Sequence, residues 1–213
     1  MSANVLEEII AGRLNGIPRM NVAQFERYMQ AGMAGDGVKC ELIDGYPVIK
    51  NRAAMGEDPM NIGTRHVMVV NALTRWFTKF LGDSKWGVSC QNPLYMLEHN
   101  LLEPDLAIIP GRFSDYAHIY ATANSAAIVI EVADSSVEAD REIKLKKYAR
   151  EGVSVYWIVN IRDEQIEVYE VPNRDQRIYE ASHIWHPHES VTLNIPDLPS
   201  QLLSVKSILD ATI

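Results

Sequence analysis

Cysteine is scarce in this chain: Cys40 and Cys90 are the only two among 213 residues. Two such distant thiols make neither a disulfide framework nor a cysteine zinc site, and they suit a reducing, cytoplasmic setting. Long apolar runs are also missing. No stretch approaches the ~18 consecutive apolar residues that a membrane-spanning helix needs, so no membrane association is expected. Met1 to Gly16 carries Glu7 and Glu8 and has no apolar core, so it does not read as a signal peptide. Positive charge is in short supply: 20 Lys and Arg face 28 Asp and Glu, a formal net charge of −8. Taken alone, that balance argues against a dedicated nucleic-acid binder, which usually shows a basic footprint. A metal site and a local basic helix could still receive a polyanion. Internal repeats and low-complexity segments are absent. Ser135 and Ser136 have no histidine at a recognisable triad spacing, which argues against a serine nucleophile.

What is present is an ordinary globular composition, 47% apolar and 23% charged, in a length that suits one domain or a core with appendages. Residues 1–20 read as an N-terminal extension. From Asn21, a plausible N-cap, Val22, Phe25, Tyr28 and Met29 recur at helical spacing. Glu41 to Ile49 reads as a hairpin turning at Asp44-Gly45, with Pro47 restricting its second arm to an edge or bulge. Residues 51–60 read as an exposed loop. Gly63 to Leu81 reads as a long helix with Val67, Val70, Leu73, Trp76, Phe77 and Phe80 on one side. Strands are expected near 87–97 and 104–109, then a long connection from Pro110 to Ser125 of the kind that is often functional. The strand around Glu131 leads through Asp134-Ser135-Ser136 into a helix. Ser135 and Glu138 have capping-box spacing there, and Gly152 is a good terminator. A β meander follows at 154–160, 165–171, 177–184 and 190–195, and residues 196–213 read as a helical tail. The order is mixed α/β rather than regular βαβ.

The chemistry lies on two strands and one helix. Asp105 opens the run Leu106-Ala107-Ile108-Ile109, and Glu131 ends the run Ile128-Val129-Ile130. An acid at the rim of a buried strand is costly unless it is paired or holds a metal. If the two strands are neighbours, two carboxylates converge, which outlines a divalent-cation site. On a wheel of about 100° per residue, Arg141, Leu145 and Tyr148 share the helix face that packs on the sheet. Lys144 lies about 60° from the centre of that face, and Lys146 and Lys147 point further outward. Lys144 and Arg141 are thus both candidates to reach the strand carrying Glu131.

Several segments now fall in a familiar order: Glu41-Leu42-Ile43-Asp44-Gly45, His66, Pro104-Asp105, Glu131-Val132, Asp134-Ser135-Ser136, Asp140-Arg141, Lys144, Tyr148-Ala149 and Tyr156-Trp157-Ile158-Val159. Over about residues 21–195 the chain resembles the Uma family of restriction-endonuclease-like proteins, within the PD-(D/E)XK nuclease superfamily. The resemblance implies a restriction-endonuclease-like central mixed sheet flanked by helices. It also implies a metal-dependent endonuclease acting on nucleic acid, DNA rather than RNA, as a homodimer. Asp105 and Glu131 would hold Mg²⁺ or Mn²⁺, and Glu41 would be a third acid nearby. The superfamily lysine two residues after the second acid is missing, since Glu131-Val132-Ala133 ends in alanine. The Uma family commonly carries its lysine on the following helix, where this chain has Lys144. The missing strand lysine also leaves open an inactive nuclease-fold protein serving as a dimeric binding module.

Each candidate has a plainer reading. Asp105 could cap a turn after Pro104, Glu41 could simply be exposed, and Lys144 could make a surface pair with Asp140 four residues earlier. His66 reads first as a helix-surface histidine and second as a neighbour of the site. His183, His186 and His188 read as a solvated turn rather than a zinc cluster. Tyr148, Tyr156 and Trp157 read as packing rather than base-stacking platforms. Clustered acids predict that Asp105→Ala leaves metal-free stability unchanged or raises it. Tyr169, Tyr179, Ile184 and Trp185 offer more aromatic surface than a small meander buries, which favours association.

Overall fold

The structure, a computed structural model, describes residues 18–50, 63–134 and 136–211. The proposed loop at 51–60, most of the extension at 1–20, and Ser135 with its capping box fall outside the described residues. The strands are β1 (Cys40–Ile43), β2 (Tyr46–Ile49), β3 (Trp86–Cys90), β4 (Leu94–Met96), β5 (Asn100–Leu102), β6 (Leu106–Pro110) and β7 (Ala121–Thr122). They continue as β8 (Ile128–Ala133), β9 (Val155–Asn160), β10 (Gln165–Asn173), β11 (Ile178–Trp185), β12 (Ser190–Leu193) and β13 (Gln201–Ser204). The helices are α1 (Val22–Gln30), α2 (Thr64–Leu81), α3 (Val137–Ala139), α4 (Leu145–Glu151) and α5 (Val205–Leu209). The chain divides into two compact units, Met1–Asn61 with Tyr95–Glu103, and Ile62–Leu94 with Pro104–Ile213.

In the first unit, Asn21 starts α1 with a capping box. Its side chain accepts from the Gln24 N–H, and the Gln24 side chain accepts from the Asn21 N–H, both at 2.9 Å. The β1–β2 hairpin turns at Asp44 and Gly45, with φ of 49° and 85°, the two positive values that a type I′ turn demands. Pro47 is tolerated because β2 ends its sheet, with β1 between it and β5.

The second unit is built on a six-stranded sheet in the order β11-β10-β9-β8-β6-β3. Only the β8–β9 pair is parallel. Parallel neighbours need a long crossover, and the helical segment after β8 supplies it. One face of the sheet presents Leu106, Ile108, Ile128, Ile130, Val132, Trp157, Val159, Ile166 and Val168 to a core shared with α2 and α5. Strand alternation therefore turns Glu131, Tyr156 and Glu167 to the opposite face.

The structure departs from the sequence reading in four places. The strand expected at 87–97 breaks after Cys90, where Gln91 has φ of 50° and Asn92-Pro93 cannot continue the ladder. On α2 the buried stripe is Val69, Val70, Leu73, Phe77 and Leu81, and Val67 is exposed. The tail is not wholly helical, since β13 pairs with β12 before the short α5. Tyr169 and Tyr179 are not spare surface. They stack on buried Tyr156 at 6.0 and 6.3 Å between ring centroids, and the Tyr179 hydroxyl donates to the Val153 carbonyl at 2.9 Å.

Candidate active site

Asp105 lies directly before β6 and is 6% exposed. Leu106 pairs with Ile130 across the antiparallel β6–β8 ladder, so continuing the register by one residue sets Asp105 opposite Glu131. Opposed residues of an antiparallel pair share a sheet face. Asp105 is held at three points. Its Oδ2 accepts from the Val132 N–H at 2.8 Å and lies 3.2 Å from His66 Nε2, while its Oδ1 accepts from the Gln91 amide at 3.4 Å. Burial alone would raise the pKa of this carboxyl. The His66 contact, the Val132 N–H and the Lys144 charge outweigh burial and hold it below the ordinary aspartate value.

Glu131 lies on β8, between β6 and β9, and is 2% exposed. Its Oε1 accepts from the buried Tyr148 hydroxyl at 3.0 Å. Its Oε2 lies 2.9 Å from Lys144 Nζ. Of the two cations left open by the sequence, Lys144 is therefore the one at Glu131. Arg141 is committed elsewhere, to Glu167 on β10, with its Nε 2.9 Å from Oε2.

The helix delivering these cations is not regular. Between α3 and α4, residues Asp140–Lys144 form a π turn, closed by the Leu145 N–H donating to the Asp140 carbonyl. The extra residue per turn changes the phase that a regular wheel assumes, and such turns recur at functional sites. As a result Asp140 and Ile143 are buried and Leu145 is only half-buried, so the inward trio Arg141, Leu145 and Tyr148 is corrected to Asp140, Ile143 and Tyr148. Gly152 ends α4 in the left-handed conformation at φ 80°. Its N–H bonds the Ala149 carbonyl and the Val153 N–H bonds the Tyr148 carbonyl, which fixes where Tyr148 meets the sheet.

Two residues of this cluster stand differently from their first sequence reading. His66 is not a surface histidine: it lies one turn before Val70 and two before Leu73, on the buried stripe of α2, and that periodicity was its signal. Asp140 pairs with Lys144 at 3.3 Å, but in the interior rather than at the surface, and accepts from the Ser136 hydroxyl at 2.8 Å. Burial and the nearby charge of Asp105 raise the Asp140 pKa, against the opposing pull of Lys144 and Ser136. Glu41 belongs to the first unit. It is buried rather than exposed, and its Oε1 accepts from the Glu103 N–H at 2.8 Å.

The arrangement is therefore a buried pair of oxygen-donor acids, one lysine in ion-pair contact with the second acid, and a histidine on the first. The family model for Uma2, described as "Putative restriction endonuclease", matches residues 22–205. The chain belongs to the Uma2 family. Among solved structures, this Uma2 chain is similar to a "putative nuclease belonging to DUF820" from Anabaena variabilis ATCC 29413. The two share 14% identity with a TM-score of 0.63, over 91% of this chain and 99% of that one. At that identity the likeness shows the fold, which is mixed α/β and nuclease-like. No curated protein matches the chain.

Proposed function

We infer that this Uma2 chain is a divalent-metal-dependent nuclease that hydrolyses phosphodiester bonds, with DNA as its substrate. The observation that carries the reading is the Lys144 ammonium, 2.9 Å from Glu131 on the strand beside the one that Asp105 opens. That contact supports a helix lysine in the role of the missing strand lysine.

The donor set fits a hard cation. Both acids offer carboxylate oxygens, and Asp105 is held ionised. Among the described residues no group of three or more His, Cys, Asp or Glu forms a protein-only cage. One or two carboxylates completed by water is the coordination that Mg²⁺ favours, and Mn²⁺ shares that preference for oxygen. Asp105 and Glu131 would hold the ion, which supplies Lewis-acid stabilisation of phosphoryl charge and a more acidic water. The Val132 N–H and Gln91 fix the Asp105 carboxylate, so it loses little freedom on binding. Tyr148 fixes Glu131 in the same way. Lys144 offers a positive charge for the phosphoryl oxygens as their charge grows.

The test is cleavage of supercoiled plasmid with Mg²⁺ or Mn²⁺, and with chelator. Wild-type protein is expected to cut only with metal. Lys144→Ala is expected to cut at least about a hundredfold more slowly, about 2.7 kcal/mol in the barrier, while calorimetry still detects the cation. Lys146→Ala, at an exposed lysine paired with Glu142, is the control and should keep nearly the full metal-saturated rate. Absence of any cation binding to the wild type would sink the reading and favour the inactive binding module.

A further inference from the structure

Asp140 is a buried acid to which the chemistry above gives no task. It is 2% exposed, its Oδ2 accepts from Ser136, and its Oδ1 has no hydrogen-bond partner among the described residues. What faces that oxygen is the Lys144 ammonium, 3.3 Å away. Lys144 thus lies between two carboxylates, Glu131 at 2.9 Å and Asp140 at 3.3 Å. The two acids differ in what else they can do. Glu131 is on the strand beside Asp105, whereas Asp140 sits at the first position of the π turn that ends in Lys144. Ser136, just before α3, keeps the Asp140 carboxylate in place.

A divalent cation on Glu131 would draw on the charge that now holds the ammonium, and it would repel the ammonium directly. An ammonium left without a counter-charge is better solvated outside, and its side chain is already 15% exposed. We propose that Asp140 is the positioning residue that retains Lys144 at the site when a cation occupies Glu131. This rests on the nuclease reading for its catalytic consequence, but not for its structural one. Asp140 touches neither substrate nor metal. It acts through Lys144.

The test uses the full chain and Mn²⁺ as probe, with acetylation of Lys144 by acetic anhydride followed by mass spectrometry. In the wild type, Mn²⁺ is expected to change Lys144 acetylation less than about twofold. In Asp140→Asn, which removes the counter-charge, Mn²⁺ is expected to raise it about fivefold or more. Equal responses in the two proteins, or a rise in the variant that is the same with and without Mn²⁺, would overturn the proposal. The second result would reveal a merely structural acid. Should Asp140→Asn not fold, Ser136→Ala serves in its place, because it only loosens the carboxylate. A smaller Mn²⁺-dependent rise is then expected, and its absence counts against the idea. Activity gives a separate arm. Asp140→Asn should lower the metal-saturated rate about tenfold or more, and the double variant with Lys144→Met should be no slower than Lys144→Met alone. Additive losses would overturn the proposal. A wild type that cuts no nucleic acid would instead refute the nuclease reading and leave the acetylation result to decide on Asp140.

Discussion

At the scale of single residues, Asp105 shows how neighbours reverse a charge argument. Two clustered acids predict that deleting one relieves repulsion. The contacts of Asp105 argue the other way, because it accepts from the Val132 N–H, contacts His66 and accepts from Gln91. Removing the carboxylate strands a buried backbone donor, at a cost of about 1–3 kcal/mol. Asp105→Ala is therefore expected to lower stability by that amount in chelator-treated buffer, measured by urea denaturation. Asp105→Asn keeps an acceptor for Val132 and should lose much less, yet both variants should lose Mn²⁺ binding by calorimetry. Equal stability of alanine variant and wild type would show that these hydrogen bonds contribute nothing net.

At the scale of elements, the π turn distributes charge between two strands. Its Lys144 goes to Glu131 on β8, and its Arg141 goes to Glu167 on β10. Burial would raise the Glu167 pKa, but Arg141, Tyr169, Gln165 and Asn160 outweigh burial and hold it at about 2. A carboxyl depressed in the folded state adds stability above its unfolded pKa and loses it as pH falls towards the folded value. The window therefore runs from about 4.5 down to about 2. Glu167→Gln should flatten the acid limb of the stability curve in that window, read by thermal unfolding at stepped pH. An unchanged slope would mean that other carboxylates set it.

The turn also marks where the sequence stops being legible. Continuous apolar runs located β6 and β8 closely, because both strands are buried on both faces and bounded by turn residues. Asp105 and Glu131 were readable for that reason: an acid at the rim of such a run has no cheap solvated alternative. Lys144 and Arg141 were readable as a pair but not separable, since a wheel assumes uniform winding and no local residue pattern announces a π turn. His66 was ranked as a surface histidine before a neighbour of the site, although its spacing to Val70 and Leu73 was in plain view, because histidine is commonplace on helix surfaces. The break between β3 and β4 was signalled by Asn92-Pro93 and overridden by the apolar content around it.

At the scale of the whole molecule, association is the open property with most bearing on function. Of the surface that favoured a dimer, Tyr169 and Tyr179 pack on Tyr156 within the chain, while Ile184 stays exposed. A second argument for a homodimer is the symmetry of the substrate, because two copies related by a twofold axis would present one site to each strand of a duplex. If that is how the protein works, light scattering gives twice the chain mass of 24.0 kDa, and plasmid is linearised without a lasting nicked species. A clean monomer that only nicks would remove the dimer and keep the chemistry.

The parallel pairing of β8 with β9 has a consequence for how the protein folds. These strands can be joined only after the chain between them has crossed over the sheet, a non-local closure that is slow to form. That same connecting chain carries Lys144 and Tyr148, the partners of Glu131. A sheet assembled without its crossover would leave Glu131 with neither ammonium nor hydroxyl, and covering it in that state would cost several kcal/mol. Premature collapse onto this face is thus penalised, and the acid acts as a checkpoint: the strand that bears it is stable in the interior only once the helix that neutralises it has arrived.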